Sequence, residues 1–196
     1  MKWVRKPLRF EITPNRIEMI SSPHTDLWQR TYYHFRNDNA PMLQASTKEL
    51  FFSFSFKVEF DIKHRFDQAG LIAYQNDECW LKASCEYENE SFQRLGSVST
   101  NKGYSDWSSV EIDASIKTLW WRLSRREDDF CIEYSFDGLI YHLMRICHMF
   151  DLKEEVHFGV YIASPEESSF KAVFSKLKLE DCKWLAHDGQ KPDANL

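Results

Sequence analysis

The chain has little glycine and little proline, only 6 of each in 196 residues, beside 15 Phe, 8 Tyr and 7 Trp. Average usage would give about 7% glycine, roughly twice as much. Collagen-like, low-complexity and disordered chains are excluded, because they are rich in glycine or proline and poor in aromatic residues. A length near 200 residues is ordinary for one all-β domain.

A surplus of positive charge and long apolar runs are missing as well. The chain carries 25 basic and 30 acidic residues, a net charge of -5, so we expect neither nucleic-acid nor anionic-membrane binding. Its apolar runs are far shorter than the ~18 residues of a membrane helix. The first residues, MKWVRKPLRF, include basic side chains but no apolar h-region, and we expect no signal peptide.

The cysteines argue against a secreted protein. There are 5 of them, an odd number, and no two are spaced Cys-x-x-Cys, so neither a disulfide framework nor a zinc site is expected. Gly-rich phosphate loops and Gly-x-Ser-x-Gly elbows are missing too. We therefore predict a cytoplasmic protein with reduced thiols and with no cofactor or metal. The sequence leaves the oligomeric state open.

Alternation with a period of two residues dominates the chain. In the run FFSFSFKVEF, the apolar side chains from Phe52 to Phe60 share one face and the polar ones the other, which predicts a half-buried strand. Asp137-Gly138, between two alternating runs, is a strong hairpin signal. The alternating runs are residues 51–60, 71–75, 79–87, 95–100, 118–126, 130–136, 140–146, 156–163 and 169–180.

Many strands without intervening helices indicate antiparallel sheets. We predict an all-β fold, a two-sheet antiparallel jelly-roll sandwich that forms a single domain over residues 1–188. We expect residues 189–196 to form a polar, frayed tail. At most one helical turn is expected, at 151–156.

A second pattern places a tryptophan two residues before a basic residue, at Trp28-Gln29-Arg30, Trp80-Leu81-Lys82 and Trp120-Trp121-Arg122. Residues two apart on a strand lie on one face, about 6.6 Å apart. A stripe of aromatic and basic side chains is typical of a face that stacks on a sugar ring and binds its hydroxyl groups. The alternative is a structural role, in which each tryptophan shields the stem of its basic neighbour. The pattern alone does not decide between the two.

The binding hypothesis predicts a groove on one sheet. Glu86 shares a face with Trp80 and Lys82, and we predict it as the acid/base residue if the protein is an enzyme, with Asp67 or Glu133 as a second carboxylate. Asp106-Trp107 is expected in a loop at this groove. The predicted ligand-binding residues are Trp28, Arg30, Tyr32, Asp67, Trp80, Lys82, Glu86, Trp107, Arg122, His157 and Tyr161.

Several segments, in order, resemble one known family. They are residues 26–33, 36–41, 65–71, 80–87, 103–108, 121–126 and 134–138. Together they resemble the unknown-function domain family that includes the fungal regulation-of-enolase proteins, within the concanavalin A-like lectin/glucanase superfamily. The resemblance covers roughly residues 10–180. It implies a two-sheet jelly roll and, by analogy of fold alone, a carbohydrate ligand.

Three functional hypotheses follow. The first is a module that binds a carbohydrate or a sugar-derived small molecule in the groove of one sheet. The second is a glycoside-processing enzyme, a hydrolase or lyase, with Glu86 as acid/base. The third is a regulatory protein-interaction module in sugar metabolism, which predicts a flat apolar patch in place of a groove.

Overall fold

The computed structural model describes residues 1–186, which form sixteen strands and no helix. Four strands begin and end where the sequence predicts them, at Phe51–Phe60, Cys79–Tyr87, Thr118–Arg126 and Val156–Ala163. The predicted frayed tail at 189–196 lies outside the described residues. Within those residues there is no helix of the length and apolarity needed to cross a membrane.

One seven-stranded antiparallel sheet, here called the front sheet, carries the candidate site. Its strands are, in spatial order, β1 (Lys2–Arg5), β6 (Met42–Thr47), β15 (Val156–Ala163), β8 (Gln68–Asn76), β9 (Cys79–Tyr87), β10 (Phe92–Asn101) and β11 (Tyr104–Asp113).

A second seven-stranded antiparallel sheet, the back sheet, packs against the front sheet. Its strands are β14 (His142–His148), β13 (Asp129–Ser135), β12 (Thr118–Arg126), β7 (Phe51–Phe60), β16 (Lys171–Glu180), β3 (Arg16–Ile20) and β2 (Arg9–Thr13). A separate hairpin pairs β4 (Leu27–Gln29) with β5 (Arg36–Asp38).

The inner faces of the two sheets form one apolar core, as the alternation predicts. Phe54 and Phe56 of β7 are almost fully buried. The ring of Phe54 lies 5.0 Å from that of Phe158 in the front sheet. Leu81, Ala83 and Cys85 of β9 join the same cluster. Since each sheet buries one face against the other, the fold is the predicted two-sheet jelly-roll sandwich.

The segment 151–155, where at most one helical turn is expected, forms turns and bends, and β15 begins at Val156. Two local predictions are wrong. Trp107 lies on β11 and not in a loop. Trp28-Gln29-Arg30 does not lie on one strand, because β4 ends at Gln29.

The cysteines are free thiols. Cys79, Cys85 and Cys131 are buried. Burial raises the pKa of Cys131 to about 12 and that of Cys147 to about 11. Thiols with pKa values this high remain protonated at neutral pH, whereas the thiolate is the reactive form.

Candidate functional site

The β4–β5 hairpin covers part of the outer face of the front sheet and ends in an unusual turn. Tyr32, Tyr33 and His34 have positive φ angles of 58°, 43° and 61°. A left-handed conformation costs about 1–2 kcal/mol for each residue other than glycine. The indole Nε1 of Trp28 donates a hydrogen bond of 2.7 Å to the carbonyl of Thr31 and so ties the turn back to β4.

Buried polar contacts hold this hairpin on the sheet. The backbone N–H of Gln29 donates a hydrogen bond of 2.9 Å to the hydroxyl of Ser105 on β11. At the other end, the Asp38 carboxylate accepts from the hydroxyl of Tyr74 at 2.7 Å and from the guanidinium of Arg5 at 2.6 Å. Beneath the hairpin lies a second apolar cluster, made of Leu27, Ala40, Met42, Ile72, Tyr74, Trp80, Val98, Tyr161 and Ala163.

A cavity of about 420 Å³ lies between this turn and the outer face of the front sheet. Its volume falls within the range of about 300–1,000 Å³ that is usual for small-molecule sites. Its aromatic walls are Trp28, Tyr32, Tyr33, Phe35, Phe66 and Trp107.

The floor follows from strand register. Gln68 on β8 lies opposite Glu86 on β9, and Glu86 lies opposite Arg94 on β10. Gly96 leaves room for the ring of Trp107, because a Cβ there would come within 2.8 Å of the indole Nε1. A polar row and an aromatic plate thus meet in one concavity.

Gln68 is the centre of the polar floor. Its Oε1 accepts hydrogen bonds from Lys82 Nζ at 2.9 Å and from the hydroxyl of Tyr161 at 2.8 Å. Its Nε2 donates to Glu86 Oε2 at 3.0 Å and to the carbonyl of Phe66 at 3.2 Å. The ammonium group of Lys82 can only donate and the carbonyl of Phe66 can only accept, so these two partners fix the orientation of the amide.

Lys82 is buried and already paired. Its side chain is 6% exposed, and its Nζ lies 3.5 Å from Asp26 Oδ1. Asp26 also accepts from the amide of Leu27 at 2.7 Å. The carboxylate of Asp26 therefore compensates the charge of Lys82 inside the site.

Glu86 is the titrating group of the floor. Burial raises its pKa to about 7, and Lys82 opposes this shift while Asp26 adds to it. Near neutral pH the carboxyl group thus exists in both forms, one that donates a hydrogen bond and one that only accepts. Perturbed groups of this kind are concentrated at functional sites.

Glu86→Gln is expected to stabilise the protein at about pH 8 by the order of 2 kcal/mol and to change little at about pH 5. In the unfolded chain Glu86 loses its proton near its ordinary pKa, whereas the folded protein retains it until about pH 7. The native state therefore binds more protons in this window, and its stability falls as the pH rises through it. Urea unfolding at both pH values checks this. Equal effects at the two pH values would contradict it.

Of the predicted ligand-binding residues, five lie together at the cavity. They are Trp28, Tyr32, Lys82, Glu86 and Trp107. That they bind a ligand remains a prediction.

Arg122 lies on the other sheet, which corrects its predicted place in the groove. β12 belongs to the back sheet, where Arg122 is bound by Glu133 at 2.6 and 2.8 Å and stacks on the ring of Tyr141 at 4.0 Å. Glu133, the proposed second carboxylate, is therefore also remote from Glu86. The tryptophan-base pattern identifies a strand face but not the sheet to which it belongs.

Asp67 and His157 also lie away from the cavity. Asp67 precedes Gln68 and so points to the opposite side, where it accepts a hydrogen bond of 2.6 Å from Ser168; burial raises its pKa. His157 is on the outer face of the front sheet, paired with Ser46. It lies four residues from Tyr161, about 13 Å along the strand.

Three further predicted residues support the site without lining the cavity. Trp80 and Tyr161 are fully buried in the cluster under the hairpin. Tyr161 reaches the floor through its bond to Gln68. Arg30, on the left-handed turn, binds the carbonyl of Gly103 at 2.9 Å and the carboxylate of Glu78 at 3.0 Å. These contacts correct the expectation that the three side chains face a ligand.

Sequence reasoning missed several lining residues, above all Asp26 and Gln68. Gln68 carries a detectable signal, because it directly precedes the apolar run of β8 and shares a face with Gly70 and Ile72. For Asp26 we find no such signal, because its position depends on the fold of the hairpin. The other missed residues are Tyr33, Phe35, Phe66, Ser84, Arg94, Gly96, Ser97, Val98, Pro165 and Glu166.

Comparisons with known proteins identify similar chains. A family model described as "Protein of unknown function (DUF1349)" matches residues 3–182. Regulation of enolase protein 1 of Saccharomyces cerevisiae is 28% identical over 177 residues, which are 90% of this chain and 87% of that protein.

Solved structures show the same architecture. A functionally unknown protein from Saccharomyces cerevisiae has a TM-score of 0.85 at 27% identity, over 92% of this chain and 95% of that one. A GH43 protein from Bacillus licheniformis has a TM-score of 0.68 at 16% identity, over 92% of this chain but only 37% of that one. At such low identity the second likeness concerns the fold alone.

Proposed function

As the chain belongs to the family of proteins of unknown function DUF1349, we propose that it binds a carbohydrate or a sugar-derived small molecule in the cavity of the front sheet. The observation that carries this proposal is one concavity whose walls are aromatic and whose floor is a row of hydrogen-bonding side chains. Sugars present both an apolar C–H face and a ring of hydroxyl groups, so they match both surfaces.

The arrangement of the floor supports recognition of hydroxyl groups. Gln68, Lys82 and Glu86 are held by one another before a ligand arrives. Preorganised polar groups lose little conformational freedom on binding. The ring of Trp107 remains 45% exposed above this floor, a position from which it can stack on a sugar ring.

We place this binding function in the cytoplasm. Five free cysteines, several of them buried, suit a reducing compartment. The third hypothesis, a flat protein-interaction surface, is less well supported, because the outer face of the front sheet carries a cavity.

Calorimetric titration with a panel of methyl glycosides tests the proposal. We expect at least one glycoside to bind, and Trp107→Ala to weaken that binding about tenfold or more through loss of stacking. Val110→Ala is the matched control, since Val110 is exposed on the same strand but away from the cavity. Absence of binding by every member of the panel would overturn the proposal.

The state of Glu86 favours an enzyme as a second candidate. A carboxyl group with a pKa of about 7 is suited to protonate a departing glycosidic oxygen. Asp26, which lines the same cavity, is the carboxylate available to activate water. Turnover of aryl glycosides by the parent, lost about 100-fold or more in Glu86→Gln, would support this candidate. A parent that binds sugars but turns none over would exclude it for those substrates.

A further inference from the structure

Two cationic residues, Lys82 and Arg94, line the cavity. Lys82 has no free charge to offer a ligand. Lys82 Nζ lies 2.9 Å from Gln68 Oε1 and 3.5 Å from Asp26 Oδ1, and the residue is only 5% exposed. Its ammonium group also lies 5.7 Å from the ring centre of Tyr161. A buried charge must be compensated, and here the protein itself compensates it.

The second cation, Arg94, is compensated in the same way. Its Nε lies 3.3 Å from Glu88 Oε2, and its Nη1 lies 3.7 Å from Glu111 Oε1. The guanidinium also lies 6.0 Å from the ring centre of Trp107. Arg94 therefore forms part of the wall and is not a free anchor for an anion.

Carboxyl groups outnumber cations around the cavity. Asp26, Glu86 and Glu166 line it beside Lys82 and Arg94. An anionic ligand would enter a site where both cations are already paired, and it would lose its hydration without gaining a free countercharge. Lys82 and Arg94 therefore do not favour an anionic ligand.

We infer that this cavity selects an uncharged sugar and discriminates against sugar phosphates and uronic acids. The inference deepens the proposed function and rests on it. A hydroxyl group both donates and accepts hydrogen bonds, so a neutral sugar matches the carboxyl group of Glu86 without needing a countercharge. The aromatic walls contact its C–H faces.

Matched ligands that share one ring test this inference. The protein is titrated by calorimetry with methyl glucoside, methyl glucuronide, glucosamine and the phosphate monoester of glucose. If the panel of glycosides identifies a different sugar ring, the corresponding derivatives of that ring are used. We expect the neutral member to bind about tenfold or more tightly than each anionic one. Tighter binding of an anionic or a cationic member would overturn the inference but leave the proposed function standing. No binding by any sugar would overturn both.

Asp26→Asn gives a second arm. This substitution keeps an oxygen that can accept from the amide of Leu27 but removes the countercharge of Lys82. We expect it to narrow the preference for the neutral sugar over the glucuronide about fivefold, since Lys82 then offers a free charge. Glu154→Gln is the matched control, because it removes the same charge from an exposed residue that pairs with Lys48 and lies outside the cavity lining. An unchanged preference in Asp26→Asn would count against the charge argument.

Discussion

Gln68→Leu is expected to destabilise the protein by about 3–5 kcal/mol, since each buried polar group left without a partner costs about 1–3 kcal/mol and a charged one costs more. Leucine has a similar shape but removes the acceptor shared by Lys82 Nζ and the Tyr161 hydroxyl. Both donors are buried, and Lys82 keeps only its longer contact of 3.5 Å with Asp26. Thermal unfolding checks this, with a midpoint expected about 10 °C lower.

Gln68→Glu is the control that separates hydrogen bonding from shape. A glutamate keeps the acceptor for Lys82 and Tyr161 but places a carboxylate against Glu86 Oε2, where the amide had donated. The pair then shares one proton, which raises the pKa of Glu86 further. We expect this variant to approach the parent in stability near pH 5 and to lose stability as the pH rises towards 8, because both carboxylates must then ionise. Equal damage by both substitutions at acid pH would contradict the role given to the acceptor.

The alternation of apolar residues predicted most of the core strands, because both sheets bury one face. Phe52 to Phe60 and Leu81 to Cys85 reach the core as expected. The same reasoning missed β11, an edge strand whose side chains remain largely exposed. Such a strand has no apolar face, so alternation of apolar residues does not detect it. For this reason the sequence predicts Trp107 in a loop, although it belongs to the sheet.

The site was harder to predict than the fold, because it depends on contacts between distant segments. The alternation within β9 alone predicts that Lys82 and Glu86 lie on one face of the sheet. The positions of Trp28 and Tyr32 depend on a left-handed turn that contains no glycine, so the sequence does not indicate this turn. The likeness of Trp120-Trp121-Arg122 to the other two patterns gives no information on sheet order, and that segment lies on the back sheet.

Trp28→Ala is expected to weaken sugar binding about 10- to 100-fold, more than the loss of one stacking surface alone would give. Trp28 lines the cavity, and its Nε1 also holds the carbonyl of Thr31 and with it the strained turn. Without this bond the left-handed residues relax, and Tyr32 and Tyr33 leave the wall. Calorimetry with the glycoside that binds the parent most tightly checks this.

Two variants make the Trp28 result specific. Trp28→Phe keeps a ring but lacks the N–H donor, and we expect an intermediate loss of binding, because only the tether to Thr31 is removed. Trp120→Ala removes a half-buried tryptophan from the outer face of the back sheet, where it packs on Gly138. Since it is remote from the cavity, its binding should stay within about twofold of the parent. If Trp120→Ala and Trp28→Ala weakened sugar binding equally, the loss would reflect general destabilisation. The cavity would then no longer be supported as the binding site.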